Sequence, residues 1–244
     1  MPPGQANSFL PILLVAAGAC AVIVADMLAP LSRSRRVSGL TALAAVLAAL
    51  AALLADMGAG VFHGLNYRFS GMLAYDTVST FLTLVFLCGA AAVILFALRS
   101  GETAAYRQGE FYALLLGAVL GAILLVTANH LVLFVLGIET LSMCSYVLAG
   151  FLKDDRNSAE ASLKYLIYGA VVSGILFFGL SYLYGLSGTL EVKQIGVNMA
   201  ARVQSGETGL VFLYALGALL LAGLGFKMAL VPFHFWCPDV YQGA

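Results

Sequence analysis

Apolar residues in this chain neither alternate at the period of two that a half-buried strand requires nor keep to one face of a helix. They continue through long stretches without interruption. Residues 37–55, 77–98, 111–138, 165–190 and 208–226 each contain no Lys, Arg, Asp or Glu. A membrane-spanning helix takes about 20 mostly apolar residues. Four of these runs therefore suit single helices, whereas 111–138 is too long for one, and its apolar pattern continues past Glu139 to Leu152. Asn129 and His130 stand where a tight hairpin would divide it. The pattern predicts helices over 9–29, 37–57, 72–98, 111–128, 130–150, 161–184 and 209–231, an all-α, polytopic transmembrane bundle. The opening MPPGQANSFLPILL has no positively charged n-region, so 9–29 is expected to be a retained span rather than a cleaved signal.

Composition supports this reading and excludes others. Of 244 residues, 62% are hydrophobic and 10% charged, against roughly 25% charged in an ordinary soluble domain. A soluble fold is thereby excluded. Twelve basic residues balance twelve acidic ones, which leaves no electrostatic footprint for nucleic acid. Cys20, Cys88, Cys144 and Cys237 are scattered, with no C-x-x-C spacing; they are expected to be small core residues rather than ligands of zinc or an iron–sulfur cluster. The sequence contains no G-x-S-x-G, H-E-x-x-H, G-x-G-x-x-G or GK[ST] pattern, so no catalytic or phosphate-binding motif is present. Gly and Ala within the spans allow close helix approach, and aromatic residues near span ends, such as Tyr67 and Tyr106, read as interface anchors.

The position of the charges predicts an orientation. The segment SRSRR (residues 32–36), Arg99 with Arg107, and KDDR (residues 153–156) fall in alternate connections, and the other connections carry only Arg68, Lys193 and Arg202. Seven basic residues against three place the richer side in the cytoplasm and the N-terminus outside.

A few charges fall inside the spans, where each costs about 2.5 kcal/mol or more and usually faces a bundle interior or a wet cavity. Asp26, Asp56 and Asp76 lie near predicted helix ends, within reach of headgroups or water. Glu139 does not: no charged residue occurs between Glu110 and Glu139 or between Glu139 and Lys153. Lys227 closes a charge-free run flanked by Gly223, Gly225 and Pro232, so its helix is expected to bend or open there. A buried Glu and Lys fit either a static ion pair that fixes packing or a proton relay through a water chain. Lys164 begins the sixth helix, where it can snorkel, support the helix locally with Glu160 at i−4, or turn inward. His130 and His234 are further titratable candidates, for which capping or packing is the alternative.

Three strings carry a resemblance: ANHLVLFVLGIETLSMCSYVLAGF (128–151), AEASLKYLIYGAVVSGILFFGLSYLYGLSGT (159–189) and GLGFKMALVPFHFWCPDVYQGA (223–244). They resemble, in order and spacing, the antiporter-like membrane subunits of respiratory complex I, the proton-pumping NADH-quinone oxidoreductase, and more narrowly its subunit N (subunit 2) branch. The resemblance implies a fourteen-helix fold with two inverted five-helix repeats, of which residues 1–110 would be the three leading helices and 111–244 the first repeat, truncated before its last helix. It implies proton translocation coupled to quinone reduction elsewhere in the complex. It assigns Glu139, Lys164, Lys227 in a broken seventh helix, and His234 to the proton path. It implies no cofactor in this chain and a holoenzyme that uses NADH, FMN, iron–sulfur clusters and quinone. The expected partners are other membrane and peripheral subunits and the lipid bilayer, with no nucleic acid, and the expected location is the cell inner membrane. A cation/proton antiporter subunit, or an assembly segment whose buried charges only pack, are the alternatives.

Overall fold

A computed structural model describes residues 9–58, 66–99 and 108–244, apart from the side chains at 31–33, 35 and 66–68. The opening segment before Phe9, Arg107, and the side chains of Arg33, Arg35 and Arg68 lie outside the described residues. Nine helices occur among the described residues: α1 (Leu10–Leu28), α2 (Leu31–Gly58), α3 (Thr77–Ala97), α4 (Gln108–Thr127), α5 (Leu131–Ala149), α6 (Arg156–Ser187), α7 (Val192–Gln204), α8 (Leu210–Lys227) and α9 (Trp236–Gly243). Seven of them, all but α7 and α9, are long and apolar enough to cross a membrane. They coincide with the seven predicted spans. The fold is a polytopic transmembrane helix bundle.

Three departures have local causes. The third span is expected to start at residue 72, but Leu73–Tyr75 forms strand β2, paired antiparallel with β1 (Asn66–Arg68). Phe69, Ser70 and Gly71 make the reversal with positive φ values. Asp76 then starts α3 with a capping box: Ser79 N–H donates to Asp76 Oδ1 at 2.7 Å, and Asp76 N–H donates to Ser79 Oγ at 2.9 Å. Second, α6 exceeds its predicted bounds at both ends. Asp155 caps it by accepting the Asn157 N–H at 2.8 Å, and Gly188, at φ 68, stops it in the left-handed region. Third, the SRSRR segment forms the first turns of α2 rather than a loop.

The chain divides into two compact units, one formed by residues up to 128 with 133–148 and the other by 129–132 with 149–244. In the first, α1 packs on α2 and α4, and α2, α3 and α4 contact one another. Its core contains Val15, Val22, Val46, Leu53, Leu87, Ile94, Leu116 and Ile123. Equally apolar side chains such as Leu13, Val24, Phe81 and Phe96 are exposed, as expected of helices that pack on one side and meet lipid on the other. Cys20 and Cys88 are exposed too, contrary to the core role expected of them. Polar groups go inward instead: Thr83, Thr127 and Ser142 are buried and donate to the carbonyls of Ser79, Ile123 and Ile138, one turn back. Glycine permits the closest approach. A Cβ at Gly121 would lie 2.5 Å from Leu141 N, and one at Gly137 would lie 2.7 Å from Leu125 N, so the backbones of α4 and α5 touch there.

In the second unit α6 packs with α7, α8 and α9. At 32 residues α6 is about 48 Å long, longer than a hydrocarbon core of about 30 Å. A Cβ at Gly223 would meet Leu176 at 2.6 Å, which brings α8 against α6. The hairpin expected at Asn129 and His130 is present, and its backbone is tied to the start of α7. Leu131 N–H donates to Leu190 O, and Val192 N–H to Asn129 O, each at 2.9 Å.

Candidate functional site

The site is built on the end of α8. Lys227 is its last residue, half-buried, and there a cation meets the negative end of the helix dipole. A helix that ends inside a protein must find partners for its last carbonyls, and the chain supplies them in order. Ala229 N–H donates to Phe226 O at 3.0 Å and Leu230 N–H to Gly225 O at 2.8 Å. These are the two bonds of a Schellman motif, with Ala229 at φ 51 in the position usually held by glycine. Residues 231–235 turn through a cis Val231–Pro232 peptide, and α9 comes next. Gly225 leaves room for the return, because a Cβ there would lie 3.0 Å from the Phe233 ring. The break predicted from Gly223, Gly225 and Pro232 is thus present, and the device that closes the helix is Ala229.

Trp236 anchors the chain after the break. Its Nε1–H donates to Phe226 O at 3.2 Å, and its ring stacks on Tyr165 of α6 with centroids 4.5 Å apart and planes 8° from parallel. With Phe226, Val240 and Ala149 it forms a small buried cluster. This seating carries Asp239 to Lys164, whose Nζ lies 2.8 Å from Asp239 Oδ2 and 2.9 Å from Glu160 Oε1. Lys164 therefore does pair locally with Glu160, and it has a second carboxylate that sequence reasoning missed. Asp239 lies 75 residues away in sequence, and only the turn after the break brings it near. An open polar notch of about 250 Å³, with Asn157, Glu160, Lys164, Asp239 and Gln242 in its lining, surrounds the three charges. It has room for water with several polar partners.

His234 lies in the turn between α8 and α9, exposed. His130 has a capping role: the Val132 N–H donates to its Nδ1 at 3.3 Å. Glu139 is half-buried near the middle of α5. It belongs to the first unit, and Lys164, Lys227 and His234 to the second.

The first unit holds another acidic centre that sequence reasoning underrated. Asp26, expected to reach headgroups or water, is only 6% exposed. It accepts hydrogen bonds from the hydroxyls of Ser34 and, at 3.0 Å, Ser38. Ser34 Oγ in turn accepts the Gln108 N–H at 3.3 Å, joining α1, α2 and α4. Gly109 fits directly against the carboxylate. Among the described residues no group of three or more His, Cys, Asp or Glu is arranged to hold a metal ion.

Residues 128–244 match the family described as NADH:quinone oxidoreductase/Mrp antiporter, TM. NADH-quinone oxidoreductase subunit N of Anaeromyxobacter sp. is 41% identical over 97% of this chain and 46% of its own length. F(420)H(2) dehydrogenase subunit N of Methanosarcina mazei is 35% identical over 96% of the chain and 46% of its own length. Among solved structures, a chain of respiratory complex I from Thermus thermophilus with bound aureothin is 35% identical, with a TM-score of 0.73 over 96% of this chain and 47% of that one. The chain spans about half the length of the curated relatives it matches. A bundle of seven apolar helices, a charged residue at a broken helix end and these likenesses along nearly the whole chain agree: the chain belongs to the antiporter-like membrane subunits of the NADH:quinone oxidoreductase/Mrp antiporter family.

Proposed function

We propose that this chain forms part of a proton-translocating subunit of a respiratory NADH-quinone oxidoreductase, in which Glu139, Lys164, Lys227 and His234 relay protons while quinone is reduced by NADH in other subunits. The observation that carries this reading is Lys227 at the end of α8, half-buried where the helix breaks. A lysine there lies beside backbone that has left the helical ladder, the arrangement by which membrane transporters form ion sites from discontinuous helices. Glu139 supports it, since a carboxylate near the middle of an apolar span is expected to serve an ion pathway. Likeness to subunit N relatives along almost the whole chain favours a complex with quinone over a freestanding antiporter. Residues 1–110 are then the leading three helices and 111–244 part of the first antiporter-like repeat.

In such an enzyme the hydride, flavin, iron–sulfur and quinone chemistry belongs to partner subunits, and this chain supplies the path for the coupled proton. The inner membrane is the corresponding location, with the N-terminus on the periplasmic side. The test is purification of the full-length subunit through an affinity tag in mild detergent. Co-elution with NADH-oxidising, quinone-reducing activity is expected. Elution alone, with cation/proton exchange in vesicles that needs no NADH, would establish the antiporter instead.

A further inference from the structure

The contact between α6 and α9 adds a residue to this path. We infer that Asp239 is the positioning residue for Lys164: delivered by the segment beyond the Lys227 break, it fixes the Lys164 ammonium in the water-accessible notch. The inference rests on the proton-relay reading of Lys164.

Lys164 is the second residue of an ion-pair chain that begins within its own helix. Glu160 at i−4 alone would leave the long side chain free to sample several rotamers. Asp239 removes that freedom from the opposite side at 2.8 Å, so Nζ sits between carboxylates from two different helices. Asp239 is held there by more than charge. It lies three residues after Trp236, which is clamped by a hydrogen bond to Phe226 O and by its stack on Tyr165, the residue next to Lys164. At the other end of α9, Gly243 closes on Asn157 O and the Ala161 Cβ, where a side chain would collide. The two anchors bracket Asp239, and both bear on the same stretch of α6 that carries Lys164. The break at Lys227 and the ammonium of Lys164 are therefore linked through one short segment anchored at both ends of α9. Lys164 keeps about a third of its surface exposed, 36%, so it can exchange with water in the notch while remaining in place.

The experiment uses the full-length subunit in the assembled complex, reconstituted in sealed vesicles, with proton uptake measured per assembled enzyme during NADH oxidation. Asp239→Asn is expected to lower uptake about threefold, the scale of losing one partner of an exposed pair. Asp239→Glu is expected to restore most of it. In a Lys164→Met background, where uptake is already reduced, adding Asp239→Asn is expected to change nothing further. Unchanged uptake in Asp239→Asn, or losses that multiply in the double variant, would overturn the assignment. So would fewer assembled complexes with normal uptake in each, since that marks a purely structural contact. Normal uptake in Lys164→Met alone would remove Lys164 from the path and overturn the relay reading at that residue, an outcome distinct from failure at Asp239.

Discussion

Asp26 and Glu139 show how little an acidic residue's place in the sequence says about its surroundings. Asp26 lies two residues before the end of α1 and Glu139 near the middle of α5, yet Asp26 is the more deeply buried and carries two serine hydroxyls. The carboxylate organises that corner, because a buried charge is tolerable only when its lone pairs are used. Replacing Asp26 by Ala would leave those hydroxyls without their acceptor, and about 2 kcal/mol of stability should be lost. Asp26→Asn, which retains one acceptor oxygen, should lose less. Thermal melting of the full-length subunit in detergent reads this, and an unchanged midpoint for Asp26→Ala would show that the cluster contributes nothing. Burial of individual residues is poorly legible in the sequence for a physical reason. Lipid and protein interior are equally apolar, so nothing in the composition around Cys20 or Cys88 distinguishes the exposed face from the core. Glu139 and Lys227 are legible because charge in an apolar run has few explanations. Asp239 is not, because it becomes significant only when the chain reverses after Lys227.

At the level of elements, the spans are recoverable from charge-free runs to within a few residues, and the break in the seventh from two glycines and a proline. Short elements are not. The β1–β2 hairpin merges into the apolar pattern of α3, since Leu73, Ala74 and Tyr75 suit strand and helix alike, and only the cap at Asp76 separates them. Helices α7 and α9, at 13 and 8 residues, are too short to register as spans, although α9 carries Asp239 and Trp236. The helix order also makes a prediction about direction. Seven basic residues lie in or beside one set of connections between spans and three in or beside the other, and a bias of this kind sets the orientation of short loops. Reporters fused after residues 105 and 155 of the full-length protein should read cytoplasmic, and those after 60 and 200 periplasmic. A periplasmic signal at 155 would reverse the assignment.

For the whole molecule, Glu139 falls in one compact unit and Lys164, Lys227 and His234 fall in the other. Each unit is built by the same means: glycine brings helices into backbone contact, and the few polar groups are then held by specific partners. At Gly121 and Gly137 this brings α4 against the helix that carries Glu139, and at Gly223 it brings α8, with Lys227 at its end, against α6. The relay proposed above rests on single ionisable groups. The most direct test is therefore Glu139→Gln in the full-length subunit, which keeps the side chain's size and removes its charge. NADH-driven quinone reduction and proton uptake are then measured in vesicles and normalised to assembled complex. Both are predicted to fall by about tenfold or more, as expected when a positioned acid–base group is lost; an assembled complex with both activities intact would contradict the account.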